Sequence, residues 1–192
     1  MLVGNVLVLA CHEGYPGHHV QGIYMERAFR ERGWPEFSVL PLYIPAAPLN
    51  EGGGDFGIEL AFPGEERLKF EMEALYPLAG IDPALAPAFD ELRAATAKLD
   101  GASLTISQMY LDGVVDRATT IDLLQRYELV TRDVAEHSLT FDDQYRSYVI
   151  NYSSGEDVVR AYVDRAGTDP GARWKAYEHI LSTPMLPSDL AK

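Results

Sequence analysis

A proline and a glycine set inside a helical run constrain this chain more than any other feature of its sequence. Residues 2–32 read as one long helical stretch, apolar at first and amphipathic later, with Arg27, Arg30 and Arg32 near its end and Gly33 just beyond it. Cations suit the negative end of a helix dipole, and glycine suits the left-handed residue that closes a helix. Pro16-Gly17 interrupts this run. Proline removes one backbone hydrogen bond and crowds the carbonyl four residues back, here that of His12. A kink or bulge is therefore expected in place of a straight rod. The first turns are almost wholly apolar, with Leu2, Val3, Val6, Leu7, Val8 and Leu9 broken only by Gly4 and Asn5. Such a helix is expected to be covered on most sides, by later helices, by a partner chain or by a missing N-terminal region.

The rest of the chain continues the helical pattern. Residues 35–50 are rich in proline and short apolar runs, which predicts an irregular connection with one short extended piece. Helices are predicted near 51–61, 64–77, 84–99, 102–111, 120–137, 141–150, 155–166 and 170–182. Thr119 or Thr120, Thr140, and Pro170 in a first turn mark three of the starts. No repeat or linker divides the sequence, so residues 1–192 are expected to form a single, mainly α-helical domain.

Charge and cysteine content exclude several classes. A formal net charge of −13 cannot neutralise a run of phosphates, which argues against nucleic-acid binding. Cys11 is the single cysteine, so no intramolecular disulfide is possible. Leu7 to Cys11 resembles the end of a lipoprotein signal, but no Lys or Arg precedes Arg27. No segment approaches the ~18 consecutive apolar residues of a membrane span. A soluble, cytoplasmic protein is the expectation.

Chemistry concentrates in Cys11-His12-Glu13-Gly14-Tyr15-Pro16-Gly17-His18-His19, which holds three of the five histidines. Zinc hydrolases commonly place two histidines one helical turn apart, with a glutamate after the first as general base. Here Pro16 occupies the position one turn on, so His12 needs the Pro16-Gly17 bulge to bring a second histidine alongside. His18 is favoured. His19 is the alternative, on the same face as His12 of an ideal helix but about 10 Å further along it. Burying such a cluster without a metal or partner costs several kcal/mol in desolvation, whereas His137 and His179 read as ordinary histidines. Glu51 is the leading candidate for a third ligand. Asp55, four residues later, shares its face and suits the carboxylate that orients a ligating imidazole. The glycines between them would let this helix approach His12 closely, and Glu59 is held in reserve. Acids that merely start a helix are the bland alternative.

His12 through His19, together with Gln21, resembles the signature of the large bacterial DUF885 family, and Glu51-Gly52 resembles its second motif. Weaker likenesses run from Tyr145 through Tyr148, Asn151, Tyr152 and Gly155 to Pro187-Ser188-Asp189-Leu190. Family members usually carry a bulky aromatic where this chain has Gly53, and they are usually longer at the N-terminus. The resemblance implies a zinc metallopeptidase-like protein, a helical bundle of zincin-like character built around the long motif helix.

These readings predict Zn²⁺ on His12, His18 and Glu51, with Glu13 as general base and a peptide or small amide as substrate. Tyr152, placed in an apparent break between helices, is the first choice for the oxyanion donor, with Tyr148 and Arg146 behind it. The rival is a non-catalytic metal-binding module, or a truncated subunit of a larger assembly. A di-iron bundle is rejected, because no glutamate here is followed by a histidine three residues later. The apolar N-terminal helix further predicts a homo-oligomer that buries Leu2, Val6 and Leu9 against a neighbour.

Overall fold

A computed structural model describes residues 3–190 except 40 and 100, and leaves the side chain of Ser153 aside. The described residues form helices without a strand, as the helical patterning predicts. Helix α1 (Val3–Leu9) runs into a π-helical turn, Ala10–Gly14, and α2 (His18–Arg32) follows the Tyr15–Gly17 break. The long motif helix is thus two helices joined by a widened turn. Gly33 closes α2 with φ 69°, and its N–H reaches the Ala28 carbonyl. A short 3₁₀ turn and an extended Val39 then lead to α3 (Ala47–Ala61), which begins a turn earlier than Glu51.

Next come α4 (Glu66–Phe70), a second π-helical turn at Glu71–Leu75, α5 (Tyr76–Leu78) and α6 (Ala86–Thr96). Glu71 is fully buried, and its carboxylate takes ion pairs from Arg67 and Arg93, each at 3.0 Å. A buried charge persists only when it is paired in this way. Helices α7 (Ala102–Leu111), α8 (Arg117–Tyr127) and α9 (Arg132–Tyr145) follow, then α10 (Ile150–Asp164), α11 (Pro170–Ser182) and α12 (Pro187–Leu190).

Several boundaries differ from expectation. The predicted 120–137 helix is split between α8 and α9, because the backbone turns at Leu129, φ 55°. Asp116 rather than Thr119 or Thr120 caps α8, Thr131 caps α9, and Thr140, expected to start the 141–150 helix, lies inside α9. The segment expected as a helix at 141–150 ends α9, makes a 3₁₀ turn and begins α10. Pro170 opens α11 as predicted, and Asp169 before it is the N-cap.

Two main apolar cores hold the chain. Phe56 and Leu60 of α3 pack with Val159 and Val163 of α10 and with Tyr177 and Ile180 of α11. Ile106, Ile121, Leu124, Ala135 and Leu139 join α7, α8 and α9. Each fully buried aliphatic side chain contributes about 1.5–3 kcal/mol. Helices α3 and α10 cross at glycines: a Cβ on Gly52 would lie 2.1 Å from the Gly155 carbonyl carbon. Helix α1 is less covered than expected, since it buries Gly4 and Leu7 while Val6 and Leu9 remain over 40 % exposed (43 % and 46 %). Leu2, the third residue assigned to that face, lies outside the described residues. No helix among the described residues is long and apolar enough to cross a membrane.

Candidate metal centre

The bulge expected at Pro16-Gly17 takes a definite form. After the π-helical turn, Tyr15 is extended (φ −117°, ψ 119°), and Gly17 adopts φ −80°, ψ −129° just before α2. The Gly17 N–H donates to the Cys11 carbonyl at 2.9 Å. A Cβ on Gly17 would stand 2.0 Å from the His12 carbonyl oxygen, so only glycine fits so close a return of the chain. The Tyr177 hydroxyl, reaching from α11, lies 3.3 Å from the Pro16 carbonyl oxygen and 2.8 Å from that of Gly53. Through this break the His18 ring comes edge-on to the His12 ring, with centroids 4.6 Å apart. His19 points elsewhere: it is exposed and packs on Tyr15.

Helix α3 supplies the facing carboxylates. Asp55 Oδ1 lies 2.8 Å from His12 Nδ1. An ionised carboxylate only accepts, so Nδ1 carries a proton toward Asp55, and Nε2 is the nitrogen that faces the cluster. Glu51 Oε2 sits 3.5 Å from His12 Nε2 and 3.7 Å from His18 Nε2. Its other oxygen, Oε1, accepts from the Tyr148 hydroxyl at 2.7 Å. The Tyr148 hydroxyl, a reserve oxyanion donor on the sequence alone, is instead committed to Glu51, a contact 97 residues apart in sequence. Gly54 makes the approach of α3 possible, since a Cβ there would lie 2.8 Å from the His12 ring.

Among the described residues, His12, His18 and Glu51 each offer a donor atom within 4.8 Å of the others. Two ligand atoms on one tetrahedral zinc, at bonds of about 2.0–2.2 Å, stand about 3.3–3.6 Å apart. The 3.5 and 3.7 Å separations of Glu51 Oε2 from the two histidines lie near that spacing, and the set as a whole falls within 4.8 Å. The two carboxylates of α3 dominate the electrostatics of the cluster. The Asp55 hydrogen bond, followed by Glu51, pushes the His12 pKa up to about 10, so without a metal the positive charge here is carried by the His12 ring itself. Burial alone would raise the Glu51 pKa, but hydrogen bonds from His12, His18 and Tyr148 prevail and hold it well below the usual carboxylate range.

A cleft of about 630 Å³ opens onto the cluster, lined among others by Asn5, Val8, Leu9, Glu13 and Tyr152. Glu13 is exposed at its edge, one residue beyond His12. Tyr152 lies within the first turn of α10, not in a break between helices, and still faces the cleft. Burial, then the negative charges of Glu51, Asp55 and Glu13, push the Tyr152 pKa up to about 12, so its hydroxyl remains a donor at neutral pH. Glu59 is not part of the cluster: it pairs with Arg160 at 2.5 Å. Arg146 is exposed and does not line the cleft. No family model matches this sequence, and neither a curated protein nor a solved structure is detectably similar to it.

Proposed function

We propose that this chain is a zinc-dependent hydrolase, a peptidase of the type its resemblance to the DUF885 family implies. The observation that carries the reading is the convergence of His12 Nε2, His18 Nε2 and Glu51 Oε2, with Asp55 holding the far side of the His12 ring. A bound zinc ion would supply Lewis acidity, polarising a carbonyl and acidifying water. Glu13, at the cleft edge beside His12, takes the proton from the attacking water and passes it to the leaving nitrogen. Tyr152 donates its hydroxyl hydrogen to the oxyanion that develops on the attacked carbonyl. Tyr148 holds Glu51 Oε1, which leaves Oε2 turned toward both histidines. The described residues bring together three such donors beside an open cleft, and this favours the catalytic reading over a structural site closed by four protein ligands.

Metal analysis and a screen of short acetylated peptides test this directly. The purified protein should hold close to one equivalent of zinc, and His12→Ala should lose it. Glu13→Gln should keep the metal and lose hydrolysis. Tyr148→Phe should weaken zinc affinity ten- to a hundredfold, the usual effect of removing a group that orients a ligand. A zinc-loaded wild-type protein that cleaves none of the peptides would defeat the hydrolase reading. Zinc retained at full stoichiometry by His12→Ala would defeat the site itself.

A further inference from the structure

Tyr152 has a second face. It also lines a separate cavity of about 410 Å³, whose other walls come from α7, α8 and α9 and from the turn before α10. Leu104, Leu124, Phe141 and Val149 make much of that lining apolar. Besides Tyr152 its polar lining is Ser103, Ser107, Glu128, His137, Ser138 and Asp142, so carboxylates outnumber the single imidazole, and Asp142 is 97 % buried (3 % exposed). The Ser107 hydroxyl donates to Asp142 Oδ2 at 2.7 Å. Burial, with Asp143 nearby, nevertheless raises the Asp142 pKa, so one neutral donor leaves this carboxylate poorly compensated.

We propose that this cavity receives a side chain of the substrate residue next to the cleaved bond and selects lysine or arginine there. The inference rests on the hydrolase reading above, because Tyr152 places the cavity beside the metal cluster. Three classes of side chain can be weighed against the lining. An acidic side chain would meet Asp142 as a like charge in a poorly screened place. A purely aliphatic one would satisfy the walls but cover the carboxylate without a partner, which costs desolvation free energy. A lysine or arginine lays its methylene stem on the apolar walls and brings its cationic head to Asp142, so both parts of the lining are matched. The formal net charge of −13 draws basic ligands toward the protein in the same sense.

Lysine and norleucine differ at the end of the side chain by the ammonium group, and this makes them the discriminating pair. Isotope-labelled full-length protein is titrated with Nα-acetyl-lysine methylamide and Nα-acetyl-norleucine methylamide by NMR. The lysine compound should bind at least tenfold tighter and shift the amides around Leu104, Ser107 and Asp142, and Asp142→Asn should bring the two affinities within about threefold. Equal affinity in the wild type, or shifts confined to other regions, would overturn the proposal without any need of the variant. The zinc-loaded protein is then given peptide pairs that differ only by lysine or norleucine beside the scissile bond. A kcat/KM ratio of at least ten, collapsing toward one in Asp142→Asn, supports the assignment; cleavage with no preference overturns it. Selective lysine binding without any peptide cleavage would remove the hydrolase reading and leave the basic-ligand site standing.

Discussion

Helices α3 and α10 meet at backbone distance, whereas α7, α8 and α9 meet through aliphatic side chains. Where Gly52 faces Gly155, neither residue can gain a carbon: a Cβ on Gly155 would sit 2.1 Å from the Pro48 carbonyl oxygen. The second unit is built in the opposite way, with Leu139 and Ala135 wholly buried among isoleucine and leucine. The contrast follows from what each region carries. Of the glycine-packed pair, α3 carries Glu51 and Asp55 and at Gly54 also comes close to the His12 ring, which keeps three polar side chains together with few rotatable atoms between backbone and site. The aliphatic unit carries no such cluster and owes its stability to ordinary burial.

The comparison breaks most easily by changing volume. Gly52→Ala should cost more than about 4 kcal/mol or prevent folding, because the new carbon meets backbone that cannot rotate away. Gly53→Ala, one residue on, meets only Leu181 Cδ2 at 3.7 Å, and should be neutral or stabilising by up to about 1 kcal/mol through helix propensity. In the aliphatic unit the sign reverses: Leu139→Ala, which removes volume, should cost about 2–4 kcal/mol. Denaturant titration of the three variants checks all of this, and a tolerated Gly52→Ala would show that α3 and α10 are not pinned by their crossing.

A second prediction separates the regions by pH. In chelator-treated protein the His12 pKa is raised from 6.5 to about 10, so between those values the folded state holds a proton that the unfolded chain has released. The contribution is fully present below pH 6.5 and is lost as pH rises toward 10, at no more than about 1.4 kcal/mol per unit. Stability should therefore fall by on the order of 2 kcal/mol between pH 7 and 9. The lowered pKa of Glu51 describes the same contacts and adds no separate increment. Asp55→Asn, which removes the largest cause of the shift, should flatten this slope; an unchanged slope in thermal melts would place its origin elsewhere.

The smallest effect belongs to a helix end. The Thr131 hydroxyl accepts from the Val134 N–H at a long 3.4 Å. Thr131→Ala should cost only about 0.5 kcal/mol, at the low end for an N-cap, and leave zinc affinity unchanged. Altered metal binding in that variant would mean that the two units are coupled more tightly than their separate cores suggest.

Part of this was legible in the sequence, where the governing signal was local. Helices α7 and α11 match their predicted bounds because a left-handed Gly101 and the Asp169-Pro170 pair mark where they begin. The break between α8 and α9 was not legible, since Glu128-Leu129-Val130 contains neither glycine nor proline and Leu129 takes its positive φ without a compositional cue. The density of histidine and glutamate at residues 12–19 pointed to a metal, and the Glu51/Asp55 spacing pointed to the facing helix.

By itself, then, the sequence determined that the chain is helical, that the helix carrying His12 must be interrupted at Pro16-Gly17, and which few residues could gather around a cation. Backbone preference and side-chain chemistry act over one or two turns, so one chain suffices to read them. The sequence favoured His18 over His19, and the structure stands His18 beside His12; the tertiary structure alone decided that Tyr148 takes Glu51 Oε1 and that Gly52 faces Gly155. Each of these depends on how far one helix is rotated and how closely it approaches another. Packing between segments up to about a hundred residues apart sets those quantities, and no local pattern encodes them.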